Sequence, residues 1–258
     1  MLKTWEQHKL SKFINKKEID FPNYTLLVTG IVLNNEQHIN AVLKNVEKYT
    51  SLFKDYYALF IDGYSSDNTY SIIKNWCERD SENRNIYRQP TRGLPRPMSL
   101  QEARNMYMSL LEEKFGKDVY MLVIDCDEVN AKDMDISHFK SNFEYKNWDA
   151  MFANCSEDYY DIWALRTKEC NYDCWEMVKR TGVQSYVDKH FKNIPRDKPL
   201  IECDSAFGGA GIYNTEKLKG LRYYSFTRGK QICEHVPLNL FFKERGAKMF
   251  INPNFLIF

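Results

Sequence analysis

Val119-Tyr120-Met121-Leu122-Val123-Ile124 runs without a break into Asp125-Cys126-Asp127. An apolar run with no polar alternation fits a strand buried on both faces, and such strands belong to parallel sheets. The same pattern occurs twice upstream. Leu26-Leu27-Val28-Thr29-Gly30-Ile31-Val32-Leu33 leads to Asn34-Asn35-Glu36, which opens a helix with Ile39, Val42, Leu43 and Val46 at helical spacing. Tyr57-Ala58-Leu59-Phe60-Ile61 leads to Asp62-Gly63-Tyr64-Ser65-Ser66-Asp67-Asn68-Thr69, and Ile72, Ile73 and Trp76 mark the helix after it. Asn85-Ile86-Tyr87-Arg88 reads as a short third strand. The segment from Gln89 to Pro97 holds three prolines and one glycine and reads as a loop. Ser99 is expected to cap a helix through Glu113, with Glu102 as the reciprocal capping-box partner.

Strand, helix, strand, helix at this spacing implies right-handed crossovers and a mostly parallel central sheet flanked by helices, a Rossmann-like α/β fold. Ligands then bind beyond the carboxyl ends of the strands, where the acidic segments at Asp62 and Asp125 both fall. Downstream the pattern loosens. Asp149–Asn154 and Gly211–Tyr213 read as further strands, and residues 155–205, rich in Tyr, Trp and charge, as an irregular lid or lobe. The chain therefore divides into a lead-in (1–22), a first half (23–130) and a second half (131–258) of one domain.

Bulk properties narrow the function. Hydrophobic residues make up 43% of the 258 and aromatics 15%, enough for a large core. Lys+Arg (36) and Asp+Glu (35) nearly cancel, so a net charge of +1 gives no reason to expect nucleic acid as partner. Met1–Leu10 lacks the apolar run of a signal peptide, and no stretch reaches the roughly 18 apolar residues of a membrane span. A cytoplasmic protein is the expectation. The seven cysteines are odd in number and scattered, which argues for reduced thiols over a disulfide framework. Cys170 and Cys174 sit four apart without a matching second pair, weak grounds for a zinc site.

Two carboxylates separated by one residue at a strand end, Asp125 and Asp127, can converge on one hard cation that bridges a diphosphate. The bland alternative is a solvated turn, and Asp67 or Thr69 could likewise be no more than a helix cap.

Asp62–Thr69 closely resembles the D-G-S-S-D-N-T segment of glycosyltransferase family 2 and its relatives, whose fold is the GT-A fold. Asn34-Asn35-Glu36 resembles that family's N-N-E opening, and Ala103-Arg104-Asn105 its A-R-N. These segments and the acidic pair that follows them stand in family order across residues 25–130. The resemblance implies a metal-dependent enzyme that binds a nucleotide-sugar through Gly30, Asn34, Glu36, Asp62, Asp67, Arg104, Asp125 and Cys126. It implies Mn2+ (or Mg2+) held by Asp125, Asp127 and a late histidine, for which His235 is the candidate; the alternative is a hydrogen-bonded core histidine. His190 and the other histidines receive no role.

In the second half, Tyr159-Tyr160-Asp161-Ile162-Trp163-Ala164-Leu165-Arg166 is similar to the Y-Y-D-x-x-A-L-R segment of fungal capsule-associated mannosyltransferases. By this resemblance 131–258 is the acceptor-binding half, with Asp161 and Arg166 as sugar-hydroxyl ligands or, in the bland alternative, members of local salt bridges. The layout is also similar to that of collagen galactosyl- and glucosyltransferases, which adds a collagen-like hydroxylysine to the glycan and protein acceptors to be considered. The expected donor is a UDP-sugar, UDP-glucose or UDP-galactose. An inverting reaction requires a general base, for which Glu234 and Asp204 are candidates; the stereochemical course stays open, as does a homodimer. Two other readings remain: a sugar-phosphate nucleotidyltransferase, which would need a Gly- and Arg/Lys-rich signature where Leu33–Glu36 stands, and a non-catalytic carbohydrate-binding derivative of the fold.

Overall fold

Strand β1 (Thr25–Val32) uses its apolar run on both sides: Leu26 and Val28 enter one core and Leu27 the other. The computed structural model describes residues 21–227 and 229–257, so residues 1–20 of the expected lead-in lie outside the described residues. β1 pairs in parallel with β2 (Asp55–Asp62) and with β4 (Val119–Asp125), and β2 with β3 (Arg84–Arg88). Helices α1 (Glu36–Thr50) and α2 (Thr69–Glu78) deliver Ile39, Val42, Val46, Ile73 and Trp76 to the core of Leu26 and Val28. Helix α3 (Arg96–Lys114) delivers Ala103, Tyr107, Met108 and Leu111 to the opposite core.

The strand order β3-β2-β1-β4 gives this division a reason. The chain moves outward from β1 to β3, then returns past β1 to β4. A crossover of constant hand must then lie on the other face when the direction of travel reverses, and α3 does. The reversal opens a crevice between the carboxyl ends of β1 and β4, the switch point at which open α/β sheets bind ligands.

The second half extends the same sheet. After a short helix α4 (Ile136–Lys140) come β5 (Ala150–Cys155), β6 (Arg166–Thr167), helices α5 (Cys174–Thr181) and α6 (Ser185–Asp188), β7 (Ile201–Ser205) and β8 (Ala210–Asn214). The small hairpin β9 (Phe226–Thr227) and β10 (Lys230–Gln231), helix α7 (His235–Glu244) and β11 (Met249–Ile257) complete the chain. The full order is β3-β2-β1-β4-β8-β5-β11-β7-β6, with β8 antiparallel to both β4 and β5, and β11 parallel to β5. The strands expected at 149–154 and 211–213 are thus present. β11 was not anticipated; Pro253 lies within it, where its pairing with β5 shifts register between Ile251 and Leu256.

The expected start of α3 needs correction. The helix begins at Arg96 behind Pro95, with Pro97 in its first turn, where a missing N–H costs nothing. Ser99 is already helical and its hydroxyl donates to Gln89 Oε1 at 2.8 Å. Glu102 instead accepts from Thr91, at 2.6 Å from the hydroxyl and 3.1 Å from the backbone N–H, and so folds the proline-rich loop back on the helix. The seven cysteines are free and buried. Among the described residues, no helix is long and apolar enough to cross a membrane.

Candidate active site

The loops leaving β1 and β2 are laced together. Asn34 N–H donates to Ser65 Oγ (3.0 Å), and its side-chain oxygen accepts from Ser66 N–H (2.8 Å). Glu36 N–H donates to Asp67 Oδ2 (3.1 Å), while the Glu36 carboxylate accepts from Asn68 N–H (3.1 Å) and Asn68 Nδ2 (2.7 Å). Asn35 N–H donates to Thr69 Oγ1 (2.7 Å). Asn34, Glu36 and Asp67 therefore spend their side chains on building the rim of the crevice. Within that rim the fully buried carboxylate of Asp62 accepts from the N–H groups of Tyr64 and Ser65 (both 3.1 Å), closing a tight turn in which Tyr64 takes φ 70°. Arg88 and Arg92 stack over the Tyr64 ring at 5.5 and 5.2 Å, and Arg88 Nε stands 3.9 Å from Asp62.

The acidic turn lies across the crevice. Asp125 N–H donates to Gly209 O (2.9 Å), and Asn130 Nδ2 donates to both Asp125 O and Gly209 O at 2.9 Å. The Gly208-Gly209 turn is thereby a backbone partner of Asp125. Both glycines have positive φ (63° and 83°), and a Cβ would stand 2.4 Å from Ala153 O at Gly208 and 2.6 Å from the Tyr160 hydroxyl at Gly209. Asp127 caps the short turn Glu128–Asn130 through one carboxylate oxygen, which accepts from Val129 N–H at 3.2 Å. Tyr160 brings its hydroxyl 3.5 Å from Asp125 Oδ2. Its neighbour Asp161 accepts from Gly208 N–H (3.1 Å) and more weakly from Ala164 N–H (3.4 Å).

Behind the turn, Arg104 on α3 and Glu234 at the start of α7 form a buried ion pair at 2.8 Å. Arg104 also donates to the Tyr107 hydroxyl (3.1 Å) and lies near the rings of Phe207 and Tyr223. One guanidinium thus serves several carboxylates. Burial pushes Asp125 up to about 7 against the pull of Arg104, with Asp127, Asp161 and Glu234 adding to the rise. Burial likewise pushes Asp161 up to about 6, opposed by the N–H groups of Gly208 and Ala164. The cluster has a surplus of negative charge and oxygen donors only, a set that suits a hard divalent cation.

Several sequence-derived assignments do not come together. Asp125, Asp127 and His235 are not gathered into one ligand set: among the described residues, the group of three donor atoms within 4.8 Å of one another is Cys170, Cys174 and His190. His235 is stacked on Phe207 (4.0 Å between centroids) behind the ion pair, its Nε2 3.7 Å from Glu234. Both its ring nitrogens are buried without a hydrogen-bond partner, and burial holds it neutral. Asp204 alternates with the buried Cys203 and Ser205 on β7, faces the other way and is ion-paired with Lys243 at the surface. Glu234 is held by Arg104, so neither candidate base stands free. Arg166 spends its guanidinium on the carbonyls of Trp163 and Leu165 and on Asp173 (3.2 Å), the local salt bridge of the bland alternative. Gly30 and Cys126 lie beneath the crevice and pack on each other; a Cβ on Gly30 would meet the Cys126 sulfur at 2.4 Å. Sequence reasoning missed Asn130, which pins the acidic turn, and Arg88; Tyr160 lay in a quoted motif but received no role.

The sequence matches no protein-family model and no curated protein. Solved structures do match. Over 98% of its length the chain resembles the mannosyltransferase PcManGT from Pyrobaculum calidifontis in complex with GDP-Man and Mn2+, with a TM-score of 0.54 and 12% identity. Over 92% it resembles GalNAc-T7 with UDP, GalNAc and Mn2+, with a TM-score of 0.50 and 12% identity. The chain spans 62% and 44% of those two chains. At that identity the likeness is one of architecture, it extends over nearly every residue, and it agrees with the strand order and the acidic switch point: this chain has the GT-A fold.

Proposed function

We propose that the protein is a metal-dependent glycosyltransferase that moves a hexose from a nucleoside-diphosphate sugar to a hydroxyl of a glycan or protein acceptor. One observation carries this reading: at the switch point of a GT-A sheet, the buried Asp125 feels the charge of Asp127, Asp161 and Glu234, with Arg104 as the opposing cation. Asp125 and Asp127 hold Mn2+ (or Mg2+), Asp127 through the oxygen it does not spend on Val129. Bound there, the cation neutralises charge on the departing diphosphate. The chain supplies the rest. The Asp62 turn and the clasp of Asn34, Glu36 and Asp67 shape the nucleoside pocket. Arg104 keeps the acidic turn from repelling the donor, and Asp161 orients a sugar hydroxyl. Glu234 positions Arg104, and His235 packs behind them both.

The likeness in layout to collagen galactosyl- and glucosyltransferases puts UDP-glucose and UDP-galactose first among the donors to test. GDP-mannose belongs in the same panel because PcManGT was solved with it. The test is release of nucleoside diphosphate from a panel of nucleotide sugars with Mn2+, with and without glycan and hydroxylysine-peptide acceptors. Asp125→Asn and Asp127→Asn should each lower release by about a hundredfold or more while circular dichroism stays unchanged. Full activity in both variants, or no donor hydrolysed or transferred by the wild type, would refute the reading.

A further inference from the structure

The lobe between β5 and β7 has little regular structure to hold it. β6 has 2 residues, α5 8 and α6 4, and one isolated bridge, Asp158 with Asn193, ties its ends. At its centre Cys170 and Cys174 are both fully buried, with sulfurs 3.4 Å apart. Cys170 sits in a turn closed by two hydrogen bonds with Thr167, and Cys174 is the first residue of α5, capped by Asp173. The turn after α6 brings in His190, whose ring is held by the Tyr172 hydroxyl 2.7 Å from Nε2. One donor atom from each of the three residues lies within 4.8 Å of the other two. We infer that Cys170, Cys174 and His190 form a structural zinc site, separate from the acidic crevice, that fastens this lobe to the sheet.

The geometry favours a metal over a disulfide. A disulfide needs its sulfurs at about 2.05 Å. Two thiolates on a tetrahedral zinc at about 2.3 Å stand roughly 3.8 Å apart, so here the sulfurs need only part slightly. The surroundings suit ligation, which requires thiolates and a neutral imidazole. Cys174 hydrogen-bonds Cys170, so the two sulfurs already face each other across the space a cation would fill. The Tyr172 hydroxyl fixes the orientation of the His190 ring beside them. Sulfur and imidazole select zinc where the carboxylates of the crevice select Mn2+ or Mg2+. The Cys-x3-Cys spacing, with no second pair in sequence, hid the site because its third ligand comes from a separate turn.

Metal analysis of the whole protein, purified without added zinc, should find about one zinc per chain. Cys170→Ser and Cys174→Ser should lose it, and Asp127→Asn should keep it, which separates this site from the crevice. Cobalt(II) exchanged into the wild type should give a thiolate-to-cobalt absorption in the near ultraviolet that His190→Cys keeps, shifted. Zinc retained by both serine variants would overturn the inference. So would an intact mass two hydrogens short, reporting a Cys170–Cys174 disulfide. If the serine variants do not fold, the wild-type spectrum decides, and a cobalt-loaded protein without the thiolate band refutes the site.

Discussion

Arg104 and Glu234 stand 130 positions apart in the chain and form the most buried ion pair of the described residues, with side chains 5% and 3% exposed. Glu234→Ala would leave the guanidinium buried without its partner, and such a loss costs about 3–5 kcal/mol. Urea unfolding checks it. The double variant Arg104→Met/Glu234→Leu should recover most of that stability, because an apolar pair of similar volume often replaces a buried ion pair without loss. It should not recover glycosyl transfer, if the charge serves the donor. Asp161 gives a pH signature. Its folded value, raised to about 6, means that the folded state keeps a proton the unfolded chain gives up earlier. Stability from this group is therefore present at acid pH and lost as pH rises from about 4 through 6. In metal-free buffer, Asp161→Asn should make that downward slope shallower and leave the part due to Asp125, whose value is raised to about 7; an unchanged slope would assign all of it to other groups. Arg104 was legible in sequence as part of A-R-N, but its partner was not, since nothing local links α3 to the start of α7.

At the scale of elements, the clasp between the β1–α1 and β2–α2 loops makes a separable prediction. Glu36 is exposed and accepts two hydrogen bonds from Asn68. Exposed bonds of this kind contribute little net stability, so Glu36→Ala should cost about 1 kcal/mol or less in unfolding. The loops it joins form one wall of the proposed nucleoside pocket, so donor affinity by calorimetry should fall severalfold. Equal loss in both measurements would make Glu36 a stability residue only. The elements carrying this clasp were readable because each strand is buried on both faces and each helix shows its own period. The second half was harder for a physical reason. β8 lies between β4 and β5 although it follows both in sequence, and β11 joins β5 from almost a hundred residues away, as the pairing of Phe250 with Met151 shows. Such partners are chosen by packing across the sheet. Local composition does not mark them, and Pro253 actively argues against the strand that contains it. Arg166 misled for a related reason: a motif fixes its position, but Asp173 and two carbonyls decide what its charge does.

Across the whole molecule, charge is nearly balanced, +1 overall, yet at the switch point Asp125 feels three other carboxylates and one opposing arginine. A nucleoside diphosphate arriving there without a cation meets like charge, and a cation arriving without the diphosphate lacks part of its oxygen shell. Binding of the two should therefore be coupled, each strengthening the other. A ligand at about a hundred times its Kd stabilises the native state by about 2.7 kcal/mol. For a domain of this size each kcal/mol raises Tm by roughly 2–4 °C. UDP or GDP with Mn2+ should thus raise Tm by roughly 5–10 °C, well beyond the sum of the shifts from nucleotide and from Mn2+ given separately. Asp127→Asn should abolish the excess and leave the unliganded Tm near that of the wild type, since Asp127 contributes one cap to a three-residue turn. Additive shifts in the wild type would mean that metal and diphosphate occupy independent places. The acidic turn would then be a helix-capping feature of the sheet's rim, and the proposed chemistry would lose its centre.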